Sequence, residues 1–368
     1  MALPKLSHKS EELISGPSRL LIAAYGFEKR SLGWVQNQKN LGIVSKAILI
    51  DYIHPKGPNL KDEMKDALIK INVSRIEEIQ YDVQAPKNVE DEIEELIAKQ
   101  LNYDEIIVDI SAMTKLLILV ILCKLSKYSG ILRIIYTEAE EYAPTHEEFE
   151  QKKEQWELYA SAPSRGVESI IRMRCLSSIR MQGQPVVLVA FASFNEQLIG
   201  HMLDTISPHR LIIINGTPPR SDYEWREKAT HFIHRKMIEE YSHENPIDSS
   251  SGLLKRSTST LEYGETFNQL NEIYKEYGLY ERIICIATGS KMQTVGLFFV
   301  KIAHPDIHIE YLTPDSYFSE RLSKGVRQIY EIKIPNYKEL LLAIELNSQK
   351  IFNLPIPDKE EYDQQNDD

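Results

Sequence analysis

Cysteine is scarce: Cys123, Cys175 and Cys285 are the three in a chain of 368 residues. So few and so widely spaced, they build neither a disulfide framework nor a paired-cysteine zinc site, and they fit a reducing compartment. Long apolar runs are lacking too. The longest, Leu116 to Cys123, has eight residues between Lys115 and Lys124, whereas a membrane-spanning helix needs about 20. The first dozen residues hold Lys5, Lys9, Glu11 and Glu12 and no apolar signal core. A cytoplasmic location without a membrane partner is therefore expected. Positive charge is in deficit, with 43 Lys+Arg against 54 Asp+Glu and a formal net charge of −11. That argues against coating duplex DNA through bulk charge. The deficit is local, however: residues 90–105 and 138–150 each carry net −6, and 358–368 carry −5. The rest of the chain is net positive and compatible with a phosphate ligand.

What is present is a repeat. Leu20–Leu32 recurs in outline as Val186–Leu198, Ala47–Asp51 as Leu211–Asn215, and Ile106–Lys115 as Arg282–Lys291. Ile135–Tyr142 then matches Glu310–Tyr317, and Ser164–Ile171 matches Ser323–Tyr330. Five blocks in one order imply an internal duplication, with one Rossmann-like repeat over 19–175 and a second over 183–334. Residues 335–368 remain as a helix, about Tyr337 to Leu346, and an acidic tail. The apolar runs are short, β-branched and unalternating, as strands covered on both faces should be. Helical patterns lie between them, so the predicted fold is α/β: two mainly parallel sheets with helical crossovers. The final blocks around Gly166 and Gly325 are expected as added antiparallel strands.

Ligands of such sheets bind at the carboxyl ends of the strands. Two turns per repeat qualify. The first holds Gly26, Glu28, Arg30 and Ser31 in one copy and Ser193 and Asn195 in the other. Neither copy has the dinucleotide glycine fingerprint or a Walker loop, and the plain alternative is a capped helix start. The second turn holds Asp109, Ser111, Thr114 and Lys115, matched by Thr288, Gly289, Ser290 and Lys291. A hydroxyl and a Lys where a strand becomes a helix offer free backbone N–H groups and an ammonium to one anion, so phosphate is the natural ligand. Weaker candidates for the same mouth are Glu138, Glu140, Tyr142, Thr313, Asp315 and Tyr317, with Arg165, Lys324, Asp51 and Asn215 around it. His231, His234 and His243 lack the partners of a metal set and read as a solvated helix face. No cofactor or metal is expected.

The hydroxyl–Lys turn after a strand resembles the CRISPR-associated Rossmann fold (CARF) superfamily, whose second motif commonly reads Asp-x-Thr-Gly-Gly-Thr-Lys. Asp109–Lys115 is similar but lacks the glycines, and Ala287–Lys291 keeps one glycine and lacks the Asp. Two such halves in one chain look like the SAVED arrangement of fused CARF-like units. The resemblance implies sensing of a cyclic oligonucleotide second messenger between the halves, in prokaryotic antiviral defence. Because 335–368 is too short for a catalytic domain, it also implies a separate effector protein. The alternatives are a stand-alone ring nuclease or other nucleotide-phosphate enzyme, in which Lys115 or Lys291 stabilises the transition state, and a scaffold subunit whose tail docks a partner.

Overall fold

The computed structural model describes residues 3–8, 12–13, 16–53, 59–82, 85–152, 154–244, 253–318, 321 and 323–351. The strands of the first half are β1 (Leu6–Ser7), β2 (Arg19–Ala24), β3 (Lys46–Tyr52), β4 (Arg75–Tyr81), β5 (Glu105–Asp109) and β6 (Ile131–Glu138). Three short strands follow, β7 (Glu141–Tyr142), β8 (Ser164–Arg165) and β9 (Ser169–Ile171). The second half contributes β10 (Val186–Phe191), β11 (Arg210–Thr217), β12 (Leu253–Ser259), β13 (Arg282–Ile286) and β14 (His308–Thr313). It ends with β15 (Ser316–Tyr317), β16 (Ser323–Lys324) and β17 (Gln328–Ile334). The helices are α1 (Gly33–Gln36), α2 (Lys61–Lys70), α3 (Pro86–Ala98), α4 (Lys115–Lys124), α5 (His146–Gln151), α6 (Gln155–Tyr159), α7 (Gln197–Ile206), α8 (Trp225–Glu244), α9 (Tyr263–Tyr277), α10 (Lys291–Ala303) and α11 (Tyr337–Ile351).

The fold is mixed α/β with mainly parallel sheets. One sheet runs β1-β17-β6-β5-β2-β3-β4 and the other β12-β11-β10-β13-β14-β9. The inner strands β4-β3-β2-β5-β6 and β12-β11-β10-β13-β14 are parallel, in corresponding order. The strands around Gly166 and Gly325 are antiparallel, as expected, and each lies in the sheet of the other half. β17, late in the chain, pairs with β6, while β9 pairs with β14. Two small ribbons, β15 with β8 and β16 with β7, make the same crossing.

Burial explains this exchange. Glu331 of β17 is 1% exposed and forms a charged hydrogen bond with Arg133 of β6, whose Nε also reaches Glu105 at 3.2 Å. Glu105 in turn accepts from Arg19 Nε at 2.7 Å. Two arginines and two carboxylates thus form a line across four neighbouring strands, and each has its opposite charge inside. On the other sheet, Arg172, just after β9, pairs with the buried Glu310 of β14 at 2.8 Å.

Between the sheets lie α4 and α10, packed on each other. Every residue of α4 from Leu116 to Leu122 is buried, which is why this run is apolar all round rather than amphipathic. One apolar cluster joins Leu20 and Ile22 of the first sheet, Leu119 of α4, Phe298 of α10 and Val187 of the second sheet. Separate clusters cover the outer faces, one under α1 and α2 and one under α7 and α8. Both faces of each sheet are therefore dry, as the unalternating strands require. The C-terminal helix belongs to the same core. Tyr337 at its start is fully buried and donates to the Leu122 carbonyl at 2.9 Å. Among the described residues no helix is long and apolar enough to cross a membrane. The acidic tail 358–368 lies outside the described residues.

Candidate ligand-binding cavity

α4 and α10 begin where β5 and β13 end, and their N-terminal turns differ in what they do. Thr114 caps α4, accepting from Leu117 N at 3.2 Å. Ser290 caps α10 in a reciprocal box with Gln293, the arrangement that satisfies otherwise orphaned N–H groups. The two lysines that follow share a register in sequence but not a role. Lys291 Nζ donates to the carbonyls of Ile110, Ser111 and Met113, at 3.2, 2.8 and 2.6 Å. It bolts the second half to the turn after β5. Burial, reinforced by Arg30, pushes its pKa well below the ordinary lysine range. Lys115, by contrast, has no hydrogen bond or ion pair from its ammonium among the described residues. Burial alone brings it down to about 8.

Lys115 faces a cavity of about 340 Å³ at the carboxyl ends of the second sheet. Its walls come from both halves. Tyr136, Glu138 and Tyr142 stand on the first side, and the turns after β10, β11 and β13 on the second. Of the residues singled out by sequence, Lys115, Ser193, Asn195, Thr288, Gly289 and Ser290 line it. So do Glu138, Tyr142 and Tyr317 among the weaker candidates. Thr288 is turned inward, its hydroxyl donating to the Phe191 carbonyl at 2.7 Å. Asn195 spans the halves, giving its amide to the Gly166 carbonyl at 3.1 Å, while its buried Oδ1 has no partner.

The remaining first-half residues are brought together elsewhere, as packing. Glu28 pairs with Arg30 at 2.7 Å and accepts from Ser323 N at 2.9 Å, latching the first turn to β16. Ser31 donates to the Glu28 carbonyl, and Ser111 Oγ accepts from Thr137 N at 2.9 Å. Asp109 is 2% exposed, and burial raises its carboxyl to about 6 while one oxygen accepts from Ser111 N. Gly26 owes its size to a neighbouring turn, since a Cβ there would meet Ala112 Cβ at 2.8 Å. Two atoms fixed to backbone cannot swing apart, so Gly26→Ala is expected to cost about 1–3 kcal/mol in urea denaturation. Arg165 stacks over Phe318 at 4.8 Å, and Asp51 accepts from Lys61 at 2.8 Å. His234 departs from the solvated face expected of it. It is 1% exposed, with Nε2 2.9 Å from the Ser193 carbonyl, because the turn after β10 packs on α8. Burial lowers it to about 4 and keeps it neutral.

Two cations of the cavity, Arg220 and Arg226, were not singled out by sequence. Arg226, in the first turn of α8, donates to the carbonyls of Tyr142, Ala143 and Pro144 at 3.2, 3.2 and 2.9 Å. Its guanidinium lies 4.5 Å from the Phe194 ring centre and 5.3 Å from that of Trp225. No carboxylate pairs with it among the described residues, and burial brings it down to about 10. The only signal in the sequence is Tyr-Glu-Trp-Arg at 223–226, aromatic residues beside an arginine in an otherwise polar stretch. Neighbouring Arg220 is neutralised by Asp222.

The cavity thus offers two cations with no counter-ion among the described residues, two helix N-termini and an aromatic rim of Tyr142, Phe194, Tyr223 and Tyr317. Leaving a buried cation unpaired is costly, and an anion entering this space would relieve both. Rings beside them suit a flat, conjugated group. Among the described residues no three His, Cys, Asp or Glu side chains converge as a metal set would.

No family model matches the chain, and no curated protein matches it by sequence. Solved structures show partial likeness. Can2 from Sulfobacillus thermosulfidooxidans, in complex with cyclic tetra-adenylate, aligns at 17% identity over 39% of this chain and 37% of its own, with a TM-score of 0.26. A type III CRISPR defence DNA nuclease activated by cyclic oligoadenylate aligns at 9% identity over 84% of this chain and 68% of its own, TM-score 0.46. A universal stress protein from Archaeoglobus fulgidus aligns at 12% over 80% of this chain and 96% of its own, TM-score 0.23. The functional reading therefore rests on the side chains of the cavity.

Proposed function

We propose that this chain binds a nucleotide-type phosphate ligand in the cavity between two CARF-like halves, and that it is the sensor of an antiviral-defence pair whose effector is a separate protein. The observation that carries the proposal is the pair Lys115 and Arg226, two cations in one aromatic-rimmed cavity with no carboxylate partner among the described residues. The corresponding strand orders of the two sheets support the internal duplication behind it. The Asp109–Lys115 and Ala287–Lys291 turns carry the resemblance to CARF proteins, and with it the expectation of a cyclic oligonucleotide. Titration calorimetry of the full chain against cyclic oligoadenylates, linear oligoadenylates, mononucleotides and inorganic phosphate tests it. Heat with at least one adenylate, saturating at one ligand per chain, is the expected result. No heat across the panel removes the proposal.

Binding should also depend on pH in one direction. Lys115 in the free protein titrates at about 8, and an anion beside it raises that value. Below about 8 the ammonium is already charged and affinity is flat. Above it, binding must take up a proton, so affinity falls by up to about tenfold per pH unit. Lys115→Arg, charged throughout, should remove the fall, and an unchanged slope in that variant would exclude Lys115 as the contact.

A second reading, cleavage of the ligand, is favoured by the same near-neutral amine, which can donate a proton to a leaving oxygen. It points to Lys115 rather than Lys291, whose protons are held by three carbonyls. Chromatography of the ligand after incubation separates binding from cleavage.

A further inference from the structure

Away from the cavity, two of the three cysteines meet. Cys123 lies in the last turn of α4, and Cys175 in the turn Arg174–Leu176 that leads from β9 to β10. Both are half-buried and free. Cys123 Sγ points at the Cys175 carbonyl, 4.0 Å away, which brings the two residues side by side. The Cys175 backbone is pinned by Glu90, which accepts from Cys175 N at 3.1 Å and from Arg174 N at 2.9 Å. Two ammoniums face the sulfurs. Lys124 pairs with Glu90 at 3.1 Å, and Lys301 from α10 is held by the Pro305 and Ile307 carbonyls at 2.7 Å.

We infer that Cys123 and Cys175 form a reversible dithiol–disulfide site, oxidised by a low-molecular-weight disulfide of the glutathione class. The inference stands apart from the ligand reading, since neither sulfur lines the cavity. Cys123, as thiolate, attacks one sulfur of the small disulfide, forming a mixed disulfide and releasing one thiol. Cys175 then loses its proton and displaces the second thiol, closing the Cys123–Cys175 bond. Two protein thiols give up two hydrogens, and the small disulfide becomes two thiols.

Cys123 is suited to attack first. The neighbouring Cys175 side chain holds it below the ordinary thiol range, and Lys124 and Lys301 add to this against burial and Glu90. Cys285 is fully buried, with burial pushing it up to about 12, and stays out of the exchange. The bond would cross-link residues 52 apart in sequence. It would tie α4 to the segment that carries β9 into the other sheet, a stronger form of the contact already present.

The test uses the full chain exposed to oxidised glutathione, then alkylated in denaturant and weighed by mass spectrometry. Free thiols should fall from three to one, with the peptides holding Cys123 and Cys175 linked, and dithiothreitol should restore all three. Closing a loop of this size should raise Tm by about 5 °C. Cys285→Ser should behave as wild type, and Cys175→Ser should stop at a glutathione adduct on Cys123. Retention of three thiols, a persistent adduct on the wild-type chain, or a disulfide-linked dimer would each overturn the inference. The wild-type measurement decides the matter even if a variant fails to fold.

Discussion

Lys115→Ala is expected to weaken adenylate binding at least about 100-fold, roughly 2.7 kcal/mol, while leaving Tm unchanged or raised. The two halves of that expectation have one cause. In the free protein the ammonium is half-buried, with no hydrogen bond or ion pair among the described residues, and burial is the sole cause of its lowered pKa. At pH 7, below about 8, it is protonated, so the cavity wall holds a charge that opposes folding. Deleting it relieves that strain and removes the charge-assisted contact a phosphate would make, commonly 2 kcal/mol or more when the partner is left buried. Lys291→Ala should do the reverse. Its amine holds three carbonyls of the first half, so stability falls because buried acceptors lose their donor. Arg226→Ala should lose affinity and stability together, because its guanidinium also gathers the 142–144 carbonyls. A marked drop in Tm for Lys115→Ala with affinity retained would end the assignment of Lys115 to a ligand.

Glu105→Ala should be the most destabilising single substitution, by about 3–5 kcal/mol, as found when one member of a buried ion pair is removed. Glu105 accepts from Arg19 at 2.7 Å and from Arg133 at 3.2 Å, and all three residues are under 5% exposed. Its loss leaves two buried guanidiniums with Glu331 as the remaining carboxylate of the line. Urea denaturation reads the loss directly. Limited proteolysis offers a second reading, since the line fastens β17 to β6 and its weakening should expose the chain around 323–328. A loss under about 1 kcal/mol would mean that the four charges do not lock the exchanged strand.

Much of the fold is legible in the sequence. Unalternating runs such as Leu20–Ala24 and Val187–Phe191 state that both faces are covered, and Leu116–Leu122 states a helix surrounded by protein. The turns ending in Lys115 and Lys291 were recognisable because a hydroxyl cap and the residue after it are local features, set by the first helical turn. The acidic run 138–150 borders the cavity mouth through Glu138, Tyr142 and the 142–144 carbonyls, and those carbonyls hold Arg226.

What local sequence could not decide was partnership. Strand identity is written in side-chain pattern, but the sheet that β9 or β17 joins depends on which buried charge it meets, Glu310 for Arg172 and Arg133 for Glu331. The same holds for the two lysines, alike in sequence. Lys291 finds three carbonyls across the interface and Lys115 faces the cavity, a difference set by the packing of α10 on α4. Arg226 and the Cys123–Cys175 pair come from distant parts of the chain and meet only once the core has closed. The sequence determined the strands, helices and caps, because these are settled within a few residues. The tertiary structure decided which charges are left without partners, because that depends on contacts between residues far apart in the chain.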